Sequence, residues 1–235
     1  MKTQMPVVQI RNVSKHFGEG STRVDALRDV SLDINAGTVV GLRGPSGSGK
    51  STLLNVIGCI VEPNSGRMSL NGEVVFDGKW LRADLRRLRL DKIGFIFQSH
   101  NLLPFLTAWE NVAVANILAG KSAAAARKHA LELLAYLGVE KRRDAMPGQL
   151  SGGEAQRIAI ARALANDPRI ILADEPTAAL DSQRAGAVMD LLRKVAEEHR
   201  SAVIVVTHDE KIFDRFDHVF TLRDGALETP QTLAA

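Results

Sequence analysis

The sequence predicts an α/β fold, and three observations lead to it. A short apolar run at 38–42 passes into a glycine-rich loop and then into an apolar helical stretch at 53–61, which is how a βαβ unit begins. Helical apolar spacing dominates from about 99–166. Strand patterns then return at 170–173 and 202–207, on either side of another helix. We therefore expect an α/β core in two pieces of sequence, with a helical insertion between them.

Each predicted strand is an apolar or alternating run bounded by turn residues. In chain order, strands are expected at 7–17, 24–34, 38–42, 67–76, 93–98, 170–173, 202–207 and 218–223. Helices are expected where apolar residues recur at i, i+3, i+4 and i+7. The three clearest stripes are Ala130, Leu133, Leu134 and Leu137; Ile158, Ala161, Leu164 and Ala165; and Val188, Leu191, Leu192 and Val195.

The length and composition fit one ordinary globular domain. A chain of 235 residues, 45% hydrophobic and 24% charged, can bury a sizeable core without disulfides or metal. The composition excludes collagen-like, disordered and disulfide-scaffold classes. We expect a single domain at 7–228, with a core at 7–98 and 167–228, a helical subdomain at about 99–166, and a short C-terminal tail at 229–235.

Neither a membrane span nor a nucleic-acid surface is expected. The longest apolar stretch, 102–119, is interrupted by Glu110, Asn111 and Asn116, whereas a spanning helix needs about 20 mostly apolar residues. The first ten residues lack the apolar segment of a secretory signal. The net charge is only +3, which is weak support for nucleic acid, so no nucleic-acid partner is expected. The single cysteine, Cys59, fits a reducing cytosol.

A phosphate-binding loop is predicted at 44–52. The residues that match the pattern G-x-x-x-x-G-K-[ST] are Gly44, Pro45, Ser46, Gly47, Ser48, Gly49, Lys50, Ser51 and Thr52. The glycines let backbone N–H groups turn around phosphate oxygens, Lys50 brings a charge to the β- and γ-phosphates, and the Ser51 hydroxyl is a Mg²⁺ ligand. A plain glycine turn is the alternative, but the loop lies between a strand and a helix, as phosphate binding requires.

A phosphate loop alone does not distinguish kinases, GTPases and ATPases. A second site must supply a metal ligand and a base. The small and apolar residues 170–173 end in Asp174 and Glu175. Asp174 would hold Mg²⁺ directly or through water, and Glu175 would orient and deprotonate an attacking water. The alternative is a strand that simply ends at a solvated acidic turn.

A third motif lies at 150–154. Ser151 is a good N-cap and Glu154 follows three residues later, which is a capping box, so the motif could be a helix start and nothing more. Gly152 and Gly153 at a helix N-terminus also make an anion site. A second anion site needs an explanation, because one nucleotide has a single γ-phosphate.

Taken together, these motifs resemble the ATPase domain of ABC proteins. In the family's order they are residues 44–52, Gln98, 150–157, 174–177, 180–181 and 207–209. The resemblance covers about 7–228. It implies a P-loop NTPase core of the ABC ATPase type, namely a mixed sheet with flanking helices, with an antiparallel β subdomain and an α-helical insertion. It also implies ATP and Mg²⁺ as cofactors.

The resemblance implies roles for residues that carry no clear local signal. Phe17 stands where an aromatic side chain stacks on adenine, with a strand-end core position as the alternative. Gln98 would contact Mg²⁺ or water and sense the γ-phosphate. His208 would contact the γ-phosphate and hold the geometry of Glu175. Asp181 would lie in a loop that crosses between subunits, although it could equally be the N-cap of the following helix.

The family architecture implies a head-to-tail dimer of two copies of the chain. The phosphate loop of one copy would face the signature motif of the other, Ser151, Gly152, Gly153 and Glu154. Two ATP molecules would then be buried at the interface. ATP binding would close the pair and hydrolysis would open it, which converts chemistry into motion.

More distinctive segments narrow the branch of the family. Residues 55–60, 93–108 and 110–112 resemble the ATPase subunits of bacterial macrolide-export and lipoprotein-release systems. This branch implies a separately encoded transmembrane permease subunit, leaves room for a periplasmic adaptor, and implies peripheral attachment at the cytoplasmic side of the inner membrane. A cell-division ATPase that regulates an extracytoplasmic enzyme through a membrane partner is the alternative. Leu102, Leu103 and Phe105 would help to dock the partner, or would pack inside the helical insertion.

Overall fold

The computed structural model describes residues 6–178 and 180–228, so Ala179 and the tail expected at 229–235 lie outside the described residues. The strands are β1 (Val8–Phe17), β2 (Val24–Ile34), β3 (Val39–Arg43), β4 (Ser65–Leu70), β5 (Glu73–Asp77), β6 (Ile93–Ile96), β7 (Ile170–Asp174), β8 (Ala202–Val206), β9 (His218–Arg223) and β10 (Ala226–Leu227). The α-helices are α1 (Lys50–Ile57), α2 (Leu85–Lys92), α3 (Ala108–Leu118), α4 (Ala123–Tyr136), α5 (Gly152–Leu164) and α6 (Ser182–His199).

The central sheet has the strand order β10-β9-β3-β8-β7-β6. Strands β9, β3, β8, β7 and β6 pair in parallel, and β10 joins β9 antiparallel. β7 and β8 are buried along almost their whole length, as expected of strands in a sheet that is covered on both faces. Because parallel strands end at one edge of a sheet, the segments that follow β3, β6, β7 and β8 emerge side by side.

A second sheet is antiparallel, with the order β2-β1-β4-β5. The Arg28 N–H donates to the Gly225 carbonyl at 2.8 Å, which connects this sheet to the turn between β9 and β10. The mixed sheet, the antiparallel sheet and the flanking helices confirm the predicted α/β fold class.

The single strand predicted at 67–76 is wrong. The structure divides it into β4 and β5, joined by Asn71 and Gly72 with φ of +52° and +79°. An Asn-Gly pair with both residues at positive φ forms the tight turn that two-residue hairpins favour. The sequence therefore carries a hairpin signal, but the apolar residues on either side of it predict one continuous strand.

Helix α2 is an element that the apolar pattern does not predict. It buries only Leu88 and is otherwise mostly charged. A side-chain cap starts it, because Asp84 Oδ1 accepts a hydrogen bond from the Arg87 N–H at 2.8 Å. A helix with one buried residue has no apolar stripe, so its sequence does not show the helical period.

The central sheet separates two hydrophobic clusters. In β7, Ile170 and Leu172 belong to the cluster that includes α1 and the antiparallel sheet, whereas Ile171 and Ala173 belong to the cluster that includes α3, α4, α5 and α6. This division follows the two-residue period of a strand. The core therefore lies on both faces of β7 and holds its carboxyl end in place.

Helices α3, α4 and α5 pack against one another in the segment predicted to be helical. Thr107, Ser122 and Ser151 cap their N-termini through side-chain oxygens. Of the α4 stripe, Ala130, Leu133 and Leu134 are buried within the helix as predicted. Among residues 6–178 and 180–228, no helix combines the length with the apolar content that a membrane crossing needs.

Candidate active site

The phosphate loop connects β3 to α1 and lies directly against two neighbouring strands. At Gly44, with φ +149°, a β-carbon would come within 2.0 Å of the Leu222 carbonyl oxygen. At Gly49, with φ +102°, a β-carbon would come within 2.2 Å of the Ala26 carbonyl oxygen. Only glycine fits both the conformation and the space at these positions. The loop is therefore fixed between β9 and β2, at the N-terminus of α1.

Lys50 is the first residue of α1, and its ammonium group reaches back across the loop. Nζ donates hydrogen bonds to the carbonyls of Gly44 at 2.8 Å and Pro45 at 2.7 Å, and a longer one to Ser48 Oγ at 3.4 Å. The mouth of the loop thus holds a cation beside the positive end of a helix dipole. This arrangement suits a chain of phosphate groups.

A cavity of about 540 Å³ lies at the carboxyl ends of the parallel strands. Its volume is typical of a small-molecule site, roughly 300–1,000 Å³. Val24, Ala26 and Val206 contribute apolar wall that the sequence does not reveal, since small strand residues carry no chemical signal. The predicted site residues on the wall are Gly44, Ser46, Gly47, Ser48, Gly49, Lys50, Ser51, Thr52, Gln98, Asp174, Glu175 and His208.

Phe17 and Pro45 are predicted site residues that do not line this cavity. Pro45 contributes its carbonyl oxygen to Lys50. Phe17 ends β1 opposite Val24, which does line the cavity. Phe17 is 46% exposed, so it is not the core aromatic that the sequence left open as an alternative. An adenine contact for Phe17 stays a prediction.

Glu175 and His208 meet at the cavity wall although they follow different strands, β7 and β8. The Nδ1 atom of His208 lies 2.7 Å from Glu175 Oε1. This hydrogen bond, with the carboxylate charge, raises the pKa of His208. The other oxygen of Glu175, Oε2, is buried without a hydrogen-bond partner among the described residues. One oxygen is therefore held and the other is left for a partner.

The backbone at Glu175 is itself unusual, with φ +51°. A non-glycine residue in this region costs on the order of 1–3 kcal/mol and persists only where the surroundings hold it. Here the Glu175 N–H donates to the Val206 carbonyl at 2.9 Å, which extends the pairing of β7 and β8. The strained residue at the strand end turns the carboxylate towards the cavity wall.

Asp174, Ser51 and Gln98 each contribute oxygen atoms to the wall of the same cavity. Burial and the charge of Glu175 raise the pKa of Asp174, against the opposing charge of Lys50. Adjacent acids of this kind favour a nearby cation, and hydroxyl, amide and carboxylate oxygens are ligands that Mg²⁺ accepts. Within the part of the chain that the structure describes, no group of three or more His, Cys, Asp or Glu could hold a metal alone. The residues therefore fit Mg²⁺ that takes its remaining ligands from phosphate and water.

The signature residues Ser151, Gly153 and Glu154 line a different cavity, of about 890 Å³. Ser151 Oγ accepts from the Glu154 N–H at 3.4 Å, and Glu154 Oε2 accepts from the Ser151 N–H at 2.8 Å. Arg142 Nε donates to Glu154 Oε1 at 2.7 Å. The arginine contact, together with the capping bonds, lowers the pKa of Glu154 to about 2. The capping box is confirmed, and the carboxylate of Glu154 is bound within its own chain.

Asp181 is the N-cap of α6, because its Oδ1 accepts from the Arg184 N–H at 2.9 Å. The local alternative raised by the sequence is therefore correct. Its predicted place in a loop between subunits stays a prediction. In one chain, then, the structure brings the phosphate loop, Gln98, Asp174, Glu175 and His208 together and keeps the signature residues apart from them.

The chain is similar to known proteins along most of its length. The model of the ABC transporter family matches residues 27–178. The chain is 48% identical over 228 residues to the "Macrolide export ATP-binding/permease protein MacB" of Brucella abortus. The matched region covers 97% of the chain and 35% of that protein. It is 45% identical over 224 residues to the "Lipoprotein-releasing system ATP-binding protein LolD" of Novosphingobium aromaticivorans, which covers 95% of the chain and 99% of that protein. The chain thus spans about a third of the MacB relatives and nearly all of LolD.

A solved structure extends the match to three dimensions. The dimeric structure of a post-hydrolysis state of the ATP-binding cassette MJ0796 bound to ADP and Pi has a TM-score of 0.84 and 43% identity, and covers 97% of this chain and 99% of that one. MJ0796 comes from Methanocaldococcus jannaschii. Because the family model spans more than half of the chain and the cassette structure matches nearly all of it, this protein belongs to the ABC transporter family as one of its ATP-binding cassette ATPases.

Proposed function

We propose that this chain drives a separately encoded transmembrane permease of the macrolide-export and lipoprotein-release type by hydrolysing ATP. One observation carries the catalytic part of the proposal. The phosphate loop, Gln98, Asp174, Glu175 and His208 line a single cavity although they lie at four strand ends. ATP supplies the phosphate chain that the loop would hold and the bond that water would break.

The phosphate loop would bind the triphosphate. Lys50 would turn its ammonium from the carbonyls of Gly44 and Pro45 to the β- and γ-phosphates, which exchanges neutral acceptors for anionic ones. The backbone N–H groups of the loop and the N-terminus of α1 would add to this. Phe17 would stack on adenine, which its exposed ring beside the cavity supports.

Asp174, Ser51 and Gln98 would hold Mg²⁺ together with phosphate oxygens. When bound, the ion neutralises charge that develops on the transferred phosphoryl group. The raised pKa of Asp174 supports this assignment, because a cation removes the repulsion between Asp174 and Glu175.

Glu175 would act as the general base. Its Oε1 is held by His208, whereas its Oε2 is buried without a hydrogen-bond partner among the described residues, so Oε2 is the oxygen left to accept a proton. The water oxygen forms a bond to the γ-phosphorus, the bond from that phosphorus to ADP breaks, and the water proton passes to Oε2. His208 would fix the carboxylate and contact the γ-phosphate.

A second copy of the chain would complete each site. A β-carbon at Gly152 or Gly153 would meet no atom within 4 Å, and neither glycine has a positive φ. Nothing in the described chain therefore requires glycine there, whereas the close approach of a partner-bound phosphate would. In this head-to-tail dimer, Ser151 would face the partner's ATP, Glu154 would hold the start of α5, and Asp181 would lie in the crossing loop.

A membrane partner is proposed from two observations. The names of the relatives include a permease and a lipoprotein-releasing system. Phe105 is 71% exposed, on a loop that the buried Asn111 fixes through hydrogen bonds to Leu103, Leu106 and Thr107. We propose that this rigid, partly apolar loop, which includes Leu102 and Leu103, docks the permease at the cytoplasmic side of the inner membrane.

The test is the Glu175→Gln substitution in the purified protein. With saturating ATP and Mg²⁺, the variant should lose turnover and accumulate as a dimer by size-exclusion chromatography with light scattering. Glu197→Gln is the matched control, because this exposed glutamate lies on α6, and it should keep wild-type turnover. A Glu175→Gln protein that stays monomeric, or that hydrolyses ATP normally, would refute the base assignment or the dimer.

The membrane protein that co-purifies with the chain tests the branch of the family. A permease with a transported substrate supports transport by mechanotransmission, with or without a periplasmic adaptor. A partner that activates an extracytoplasmic enzyme would instead favour the cell-division type of ATPase. A Phe105→Asp variant that still recruits its membrane partner would count against docking at the loop.

A further inference from the structure

The loop that follows Gln98 is compact. The His100 N–H donates to the Phe97 carbonyl at 3.1 Å, and the Asn101 N–H donates to the Ser99 carbonyl at 2.6 Å. His100 and Asn101 both adopt positive φ, +57° and +48°. Histidine and asparagine enter this region more readily than most residues, but two in succession are uncommon and are favoured by groups that hold the loop.

Arg162 is the group that holds this loop. Its Nη2 donates to the His100 carbonyl at 2.6 Å, and its Nη1 donates to the Asn101 carbonyl at 2.5 Å. Burial lowers the pKa of Arg162, and among the described residues no carboxylate pairs with it. A partly buried charge without a counter-ion is unfavourable unless its donors are satisfied. The two loop carbonyls therefore compensate the guanidinium, and the guanidinium fixes the loop.

Arg162 also belongs to the signature helix. It lies in α5, whose N-cap is Ser151 and whose first residues are Gly152 and Gly153. A continuous α-helix is stiff over this distance of about 15 Å. The planar fork of Arg162 thus joins two elements that serve different nucleotides in the proposed dimer. One is the loop that carries Gln98 on its own ATP, and the other is the helix whose start faces the partner's ATP.

We propose that Arg162 is a positioning residue that holds Gln98 in register with the signature helix, so that Gln98 is correctly placed for hydrolysis only when both ends of this link are in position. This inference rests on the proposed ATPase function. Loss of the fork would leave ATP binding intact, because Arg162 does not line the nucleotide cavity. Loss of the fork would lower the rate of the chemical step, because small displacements of the reacting groups slow the reaction strongly.

The experiment is a double-substitution cycle on ATP turnover. Arg162→Met should lower kcat by roughly tenfold or more while the KM for ATP changes by less than about twofold. In a Gln98→Ala protein, adding Arg162→Met should change kcat by less than about twofold, since residues that act through one another are not additive. Arg162→Lys keeps the charge but cannot form the planar fork, so its kcat should fall between that of the wild-type protein and that of Arg162→Met.

Arg89→Met is the matched control. Arg89 Nη1 also donates from a helix to the carbonyl of a left-handed residue, Cys59, at 2.8 Å, but that loop follows α1 rather than Gln98. The Arg89→Met variant should keep wild-type kcat. Each variant is first checked by its unfolding midpoint. If Arg162→Met does not fold, Arg162→Lys replaces it in the double-substitution cycle with Gln98→Ala.

Two results would overturn the inference: wild-type kcat in Arg162→Met, or losses that multiply independently in the double variant. An unchanged KM with a multiplicative loss would mean that Arg162 supports the fold of α5 rather than Gln98. A wild-type protein without ATP turnover would instead refute the proposed function. The two failures are therefore distinguishable.

Discussion

In the phosphate loop, a pair of glycine-to-alanine substitutions separates the cost of backbone conformation from the cost of steric collision. Gly47 and Gly49 both have positive φ, +77° and +102°. A β-carbon at Gly47 would meet no atom within 4 Å, whereas one at Gly49 would lie 2.2 Å from the Ala26 carbonyl oxygen and 3.1 Å from Leu222 Cδ2. Gly47→Ala therefore tests conformation alone, and Gly49→Ala adds an overlap with the backbone of β2.

The expected magnitudes follow from these contacts. Placing alanine in a left-handed conformation costs about 1–2 kcal/mol, so Gly47→Ala should lower the free energy of unfolding by that amount. Overpacking typically adds about 1–3 kcal/mol. At Gly49 the overlapping atom is a backbone oxygen, which cannot move without shifting β2 or α1, so the total loss should be about 2–5 kcal/mol. A loss of that size is a large share of the roughly 5–15 kcal/mol that stabilises a domain.

Urea unfolding of the two variants and the parent protein measures both losses. The slopes of the transitions should agree, because the surface exposed on unfolding is unchanged. Nucleotide binding provides a second readout, since Gly49→Ala also displaces Lys50 at the start of α1 and should weaken ATP binding more than Gly47→Ala does. If the two variants unfold within about 0.5 kcal/mol of each other, the close approach of the loop to β2 is wrong.

Further outcomes follow from single contacts. Asn111→Ala should lower the free energy of unfolding by about 2–3 kcal/mol, measured in urea, because the buried amide bonds the N–H and C=O of Leu103; an unchanged midpoint would contradict this. Asp181→Ala should cost about 1 kcal/mol in the same assay through loss of the α6 cap. NMR titration should give His208 a pKa above its ordinary 6.5, and Glu175→Gln should lower it again. Because the folded pKa is raised, the pair with Glu175 stabilises the fold fully below the unfolded pKa of His208, and this contribution disappears as pH rises through the folded pKa.

Local patterns predicted the elements that carry the site. The β-branched run of β3 precedes the glycine loop, and the helix that follows begins at Lys50, because these signals act over a few residues. The failures have the same origin. Asn71 and Gly72 lie between two strands whose apolar residues predict a single strand, and α2 has one buried residue, Leu88, and hence no helical stripe. Prediction from periodicity therefore fails where two adjacent elements are both apolar, or where an element buries almost no residue.

The roles of Gln98 and His208 came from resemblance rather than from any local rule. A lone histidine after a strand has many structural explanations. What gives it meaning is its contact with Glu175, 33 residues away in the chain. The same holds for Arg142, which binds Glu154 across 12 residues, and which no motif marks.

By itself, the sequence determined the fold class, the phosphate loop, the acidic strand end and the capped start of α5, because these depend on neighbouring residues. Only the tertiary structure decided which of them share a cavity, since four parallel strands must end at one edge before Gln98, Asp174 and His208 can meet the loop. It also decided that Arg162 donates a hydrogen bond to the backbone carbonyl of Asn101, 61 residues away. Such contacts arise when packing brings distant segments together and a buried charge must find acceptors, and sequence spacing carries no record of them.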